Sequence, residues 1–238
     1  MLSRAGGPLG PPYGFVVALV AEAHAFGRPP RGQPVALQGG HWLGVCGMGA
    51  ARVRDMGLDL ASRGVRTLVS FGTCGGLAPG LPPGSLLCPR MVRDEEGGCY
   101  QTAVPPDLAS RLPAARTADV LLSVAAPVCD VRRKEDHFRR YGAAGVDMES
   151  ATLAQVASEE GLRFLALRAI VDPFDEPLPE RVLAAVDEWG RPRTMALLRV
   201  LATDPATWAA VARLRRHFSK AQGSLAAAAA VMTRGGPL

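Results

Sequence analysis

Apolar and polar positions along this chain follow two periods. Phe15-Val16-Val17-Ala18-Leu19-Val20 is an unbroken apolar run of strand length, the pattern of a strand buried on both faces. Val35-Ala36-Leu37 and Trp42-Leu43-Gly44-Val45 flank Gly39-Gly40 and predict a hairpin. Over residues 50–63 the period lengthens, and Val53, Met56, Leu60 and Ala61 share one face of a helix introduced by Gly47-Met48-Gly49. Residues 66–71 predict a strand ending in Gly72-Thr73-Cys74-Gly75-Gly76, where permissive backbone is expected. Another strand, 85–88, follows Pro82-Pro83-Gly84. Residues 93–115 show no clear period and predict irregular structure. Strands at 119–124, 144–147 and 163–170 then alternate with helices at 131–141 and 149–160. From Glu180 onward the pattern is helical, broken near Gly190-Arg191-Pro192 and Asp204-Pro205.

Closely spaced early strands followed by alternating strands and helices predict an α/β protein. The expected architecture is a three-layer α/β/α arrangement, with a central mixed sheet covered by helices on both faces. Residues 1–14, rich in Gly and Pro, read as a flexible lead-in, and 15–238 as a single domain with a helical C-terminal part.

Composition narrows the class. The 238 residues are 48% hydrophobic but only 5% aromatic, which favours close helix–sheet packing over a sandwich. The net charge of +5 is scattered, apart from Arg132-Arg133-Lys134, Arg139-Arg140 and Arg213-Leu214-Arg215-Arg216. A nucleic-acid binder carries a denser basic stripe with interleaved aromatics, so no nucleic-acid partner is expected. Arg132, Arg133 and Lys134 read as a solvated helix face. Five cysteines without a CxxC or Cys/His cluster signal neither a disulfide framework nor a metal site, which fits a reducing cytoplasm. No apolar signal core precedes residue 15, and the run 15–21 is too short to span a bilayer. A soluble cytoplasmic protein is therefore expected.

Chemistry concentrates at strand ends, where open α/β sheets bind ligands. Gly145-Val146-Asp147-Met148-Glu149-Ser150 delivers two carboxylates and a methionine to a strand-to-helix junction, and Arg168-Ala169-Ile170-Val171-Asp172 delivers a third carboxylate. Such groups suit a ligand with hydroxyls to hold and a basic nitrogen to protonate, as a nucleoside has. Asp147 reads as a helix-start residue. Glu149 reads as an acceptor for ribose hydroxyls, with Met148 flat on the sugar. Asp172 closes an apolar strand, a setting that raises a carboxyl pKa and keeps a proton available near neutrality. The small residues Thr73, Cys74 and Gly75 let backbone approach a ligand. Glu22 ends the first strand, and a solvated loop glutamate and a functional one are equally open there. Gly47-Met48-Gly49 is no dinucleotide fingerprint, since Arg52 stands where a third glycine belongs; a tight turn and amides facing an anion or sugar both stay open.

Taken in order, Val20-Ala21-Glu22, Gly47-Met48-Gly49, Gly72-Thr73-Cys74-Gly75-Gly76, Val146-Asp147-Met148-Glu149 and Arg168-Ala169-Ile170-Val171-Asp172 resemble the nucleoside phosphorylase family that includes 5′-methylthioadenosine/S-adenosylhomocysteine nucleosidase. The Ala-Glu-Ala opening, the Asp-Met-Glu-Ser motif, the Asp-Pro turn and the long helical tail resemble its hopanoid-associated phosphorylase subgroup most. The resemblance implies a nucleoside phosphorylase-like fold, cleavage of a purine N-glycosidic bond without metal or cofactor, and a homo-oligomer. It implies Asp172 and Glu22 as catalytic residues, and Thr73, Cys74, Gly75, Met148 and Glu149 as substrate-binding residues. Phosphate and water stay open as the nucleophile. Two positions depart from the family pattern: His24 aligns nearest the family's water-activating glutamate, and Val171 stands for a serine.

The expected substrate is a small-molecule adenine nucleoside, foremost adenosylhopane in hopanoid biosynthesis, with methylthioadenosine, S-adenosylhomocysteine or futalosine as alternatives. A non-catalytic nucleoside- or lipid-binding protein is the alternative of another class. The apolar stretch 225–232 is expected to pack on its own domain or a second subunit, or else to meet a hopanoid tail in a peripheral membrane contact.

Overall fold

The computed structural model describes residues 12–104, 111–112, 115–196, 199 and 206–233. The lead-in expected over 1–14 lies almost wholly outside them. Nine strands form one mixed sheet: β1 (Tyr13–Val17), β2 (Val35–Ala36), β3 (Trp42–Val45), β4 (Thr67–Gly76), β5 (Leu86–Asp94), β6 (Cys99–Gln101), β7 (Ala115–Ser123), β8 (Gly145–Asp147) and β9 (Arg163–Asp172). Among the described residues, the helices with defined bounds are α1 (Val20–Ala23), α2 (Ala50–Ser62), α3 (Val131–Tyr141), α4 (Ser150–Glu159), α5 (Glu180–Leu183) and α6 (Ala206–Thr233).

The long strands β4 and β9 run parallel at the centre, with β1 parallel to β4 on the other side. Beyond the end of β1, β8 takes its place beside β4, antiparallel, at Gly75 and Gly76. Because β9 pairs with β5, β5 with β7 and β7 with β8, these five strands return on themselves in a ring. The sheet thus curls closed on one side, which the strand pattern alone does not reveal.

Alternation along β1, β4 and β9 sorts their side chains into two cores. Phe15, Val69, Phe71, Leu165 and Leu167 face α6, whose Ala221, Leu225, Ala228, Ala229 and Met232 are buried against them. Val16, Leu68, Ala166 and Ile170 face α2 and α4, through Val53, Met56, Leu60, Leu153 and Val156. These are the three expected layers.

Four local expectations change. The first strand stops at Val17, and Val20 already begins α1, because the Glu22 side chain accepts a hydrogen bond from the Leu19 amide (3.1 Å) and fixes a helical turn. Residues 93–115 are not irregular throughout: β5 continues to Asp94 and turns back into β6, and β7 begins at Ala115. Glycines 72, 75 and 76 lie within β4 without left-handed backbone. They are required for space: a Cβ on Gly72 would sit 2.6 Å from Arg168 Nη1 and 2.7 Å from Glu22 Oε1. Between α5 and residue 193 the chain is mostly turns, joined by a bridge between Val186 and Pro192, so the helical reading fails there; it holds for α5, for residues 194–196 and 199, and for α6.

Within the stretch 225–232, Leu225, Ala228, Ala229 and Met232 pack on the chain's own sheet, while Ala226 and Ala227 are exposed. Leu225→Ala is expected to lower the unfolding free energy by about 2–5 kcal/mol, read from chemical denaturation. An unchanged midpoint would mean that this end of α6 is not docked.

Candidate active site

The ring closure sets the geometry of the site. Gly75 pairs with Val146 of β8 on one side and with Asp172 of β9 on the other. The ends of β8 and β9 therefore converge around a residue without a side chain, and a cavity of about 520 Å³ opens over them. Glu22, Thr73, Cys74, Gly75, Met148, Glu149 and Asp172 all line it. The residues singled out from strand ends far apart in sequence thus share one wall.

Asp147 also borders the cavity, but its carboxylate is engaged within the protein. It is buried and accepts from the Ser150 amide (3.3 Å) and the Ser150 hydroxyl, so it caps the start of α4. It also pairs with Arg168 (2.7 Å), itself buried in the middle of β9. The Arg168 guanidinium further donates to Ser70 Oγ (2.6 Å) and Ser150 Oγ (3.2 Å) and lies 3.9 Å from Glu149. With Asp147 capping the helix, the Glu149 side chain makes no capping hydrogen bond. Desolvation pushes its pKa up to about 7 against the pull of Arg168.

Glu22 is buried, not solvated. Its Oε1 accepts from the Thr73 amide (2.7 Å) and hydroxyl (2.8 Å), and Oε2 from Leu19. A carboxylate offers about four acceptor sites, so one stays open for a ligand or a water. His24, the alternative for this role, is exposed in the following 3₁₀ turn. The Cys74 thiol is pushed well up by burial and stays neutral.

Asp172 is buried at the far end of the wall, and desolvation raises its pKa to about 6. Its neighbour corrects the reading of the basic cluster on α3. Arg132 and Arg133 are exposed, but Lys134 is wholly buried, with Nζ 2.5 Å from Asp172 Oδ2. A detectable signal existed: Val131, Lys134, Phe138 and Tyr141 recur at helical spacing, which places the lysine on the helix's apolar stripe. Arg168 carried a similar signal, a charge inside an otherwise apolar strand.

The Gly47-Met48-Gly49 turn packs against the 187–190 segment. The Met48 amide donates to Glu188 O (2.7 Å), and a Cβ on Gly47 would lie 3.3 Å from that oxygen. Met48 itself lines the cavity. The cavity lining from the first half of α6 is mostly apolar, Val211, Leu214 and Phe218 with one charge, Arg215, and Leu183 and Val186 add to it. Among the described residues no cluster of three His, Cys, Asp or Glu side chains could hold a metal ion, and no helix is long and apolar enough to cross a membrane.

Comparisons place this geometry among known proteins. The sequence pattern of the phosphorylase superfamily matches residues 24–202. A stretch of 88 residues is 38% identical to 5′-methylthioadenosine/S-adenosylhomocysteine nucleosidase of Treponema pallidum, covering 36% of this chain and 31% of that protein. The chain thus matches about a third of that relative's length. Two solved structures share the fold over nearly their whole length. Futalosine hydrolase of Helicobacter pylori is 16% identical, with a TM-score of 0.63 and coverage of 92% of this chain and 97% of that one. The Neisseria meningitidis 5′-methylthioadenosine/S-adenosylhomocysteine nucleosidase, in complex with methylthio-immucillin-A, is 14% identical, with a TM-score of 0.66 and coverage of 93% and 98%.

Arg168→Met leaves Asp147 buried without its cation. It is expected to destabilise the fold by about 3–5 kcal/mol, measured by urea unfolding. A loss under about 1 kcal/mol would show that the arginine does not hold the site together.

Proposed function

The chain belongs to the phosphorylase superfamily, and on that premise we propose that it cleaves the N-glycosidic bond of an adenine nucleoside. The observation that carries this reading is the convergence of Asp172, Glu149 with Met148, and the Glu22–Thr73 pair on one cavity wall. Two carboxyl groups there have raised pKa values, and each suits a different task.

In this mechanism Asp172 gives its proton to the purine, near N7, as the glycosidic bond breaks and the base keeps the electron pair. The ribosyl group passes through an oxocarbenium-like state. Glu149 as carboxylate accepts from the ribose hydroxyls, and Met148 packs on the sugar face. Water or phosphate bonds to ribose C1′ from the Glu22–Thr73 side; a water gives up one proton to the acceptor site left on Glu22, whereas a phosphate oxygen adds without one. General acid catalysis by Asp172 contributes about 3–5 kcal/mol of barrier lowering. Positioning of the ribose and stabilisation of developing charge supply the rest.

Methylthioadenosine, S-adenosylhomocysteine and futalosine are the first substrates to test, given the names of the similar proteins. Adenosylhopane is the second reading, favoured by the apolar wall of Val211, Leu214 and Phe218, which suits a large apolar 5′ substituent. The protein is incubated with each compound, with and without phosphate, and products are identified by mass spectrometry. Adenine release from at least one is expected. Binding without release from any would favour a non-catalytic nucleoside-binding protein.

Asp172→Asn keeps shape and removes the transferable proton, and kcat is expected to fall about 100-fold or more with the unfolding midpoint retained. Turnover near that of the wild type would remove Asp172 from the mechanism.

The pH dependence follows from the two carboxyls. Asp172 must be protonated, and that form is lost as pH rises through about 6; Glu149 must be ionised, and that form is lost as pH falls through about 7. The productive pair is therefore always a minority form, and kcat/KM should peak between the two values and fall on both sides. Glu149→Gln should abolish the fall on the acid side. A profile that is flat across the range would contradict both assignments.

A further inference from the structure

Lys134 is a buried charge in contact with Asp172 that the proposed reaction does not by itself require. A lysine with no exposed surface is uncommon unless its charge is matched. Here three oxygens lie against the ammonium. Nζ donates to Pro173 O (2.8 Å) and Glu176 O (2.7 Å), and its third neighbour is Asp172 Oδ2 at 2.5 Å. An ammonium has three donors, and three acceptors surround this one. The two carbonyls belong to the turn that directly follows Asp172. The lysine therefore anchors both the carboxyl group and the backbone that carries it.

The charged and titratable surroundings leave this contact as the dominant one. Glu176 on the turn is held by Arg213 (2.7 Å) and lies 3.8 Å from His217, both on α6. Cys129, just before α3, and Cys74 of β4 lie within electrostatic reach of Asp172, while Arg133 and Glu180 act on Cys129. Lys134 is the cation that touches Asp172.

We propose that Lys134 is a positioning residue for the glycosidic cleavage proposed above: clamped by two main-chain carbonyls, its ammonium fixes the Asp172 carboxyl at the cavity wall and stabilises the carboxylate left when that proton departs. The inference rests on the functional reading of Asp172. The bookkeeping of the step is simple: the O–H bond of Asp172 breaks as an N–H bond forms on the leaving base, and Lys134 keeps all its protons. The physical consequence is a balance. Burial alone would drive the Asp172 pKa far up and make it a weak acid, and the adjacent ammonium opposes this and holds it at about 6.

The test is a carbon-13 NMR titration of the full chain with labelled aspartate, the Asp172 resonance being identified by its loss in Asp172→Asn. In Lys134→Gln, which keeps hydrogen-bonding capacity but no charge, the Asp172 midpoint is expected to rise by about 1–3 units. Lys134→Arg should bring it back, and kcat of Lys134→Gln should fall about tenfold with KM little changed. An unmoved midpoint, with only thermal stability lowered, would overturn the proposal and leave Lys134 as a purely structural anchor. A measurement on the unsubstituted chain covers the case in which Lys134→Gln does not fold. The Lys134 side-chain nitrogen resonance should shift with the Asp172 midpoint and lose that transition in Asp172→Asn; insensitivity would overturn the coupling. Neither titration needs substrate. Failure to release adenine from any nucleoside would overturn the functional reading while these midpoints stood, and activity with an unmoved midpoint would overturn the role of Lys134 alone.

Discussion

The buried guanidinium of Arg168 is the constraint on which the rest of the site depends. A charge taken out of water must be met by partners of good geometry, or the fold loses several kcal/mol. Arg168 meets Asp147, Ser70 and Ser150, which come from three different elements. The partnership ties β4, β9 and the β8–α4 junction into one piece. It also explains the neighbouring glycine: with Arg168 and Glu22 pressed against β4, position 72 has no room for a side chain.

From that anchor the division of labour among the carboxylates follows. Asp147 is consumed by the arginine and the helix start, and this releases Glu149 from capping duty. Glu149 then stands at the cavity at a longer distance from the same cation, desolvated but only partly compensated. Asp172 repeats the theme on the other side of Gly75 with its own buried cation, Lys134. Burial raises the pKa of both carboxyl groups, and in each case a buried cation opposes the rise, Arg168 at Glu149 and Lys134 at Asp172.

The long C-terminal helix has two functions along its length. Its last turns fill the core beneath β1, β4 and β9, while its earlier turns, with Val211, Leu214 and Phe218, form the apolar wall of the cavity. An apolar stretch in sequence is therefore a poor guide to ligand contact. The most apolar segment, 225–232, is the part that the core uses.

By itself the sequence determined the layers and the strand-end chemistry. The two apolar periods fix which segments are strands and helices; Asp172 stands at a strand end because it follows an apolar run directly, and Met148 and Glu149 because they fall between a short strand and the start of a helix. These are local properties, carried by consecutive residues. Tertiary structure alone decided that Glu22 is buried against Thr73, that Lys134 leaves the solvated face of its helix for Asp172, and that the sheet curls into a ring around Gly75. Each depends on strand pairing between residues distant along the chain. A buried charge is matched by its partners in space, and the apolar spacing of one element shows that a partner is needed without showing which one it is.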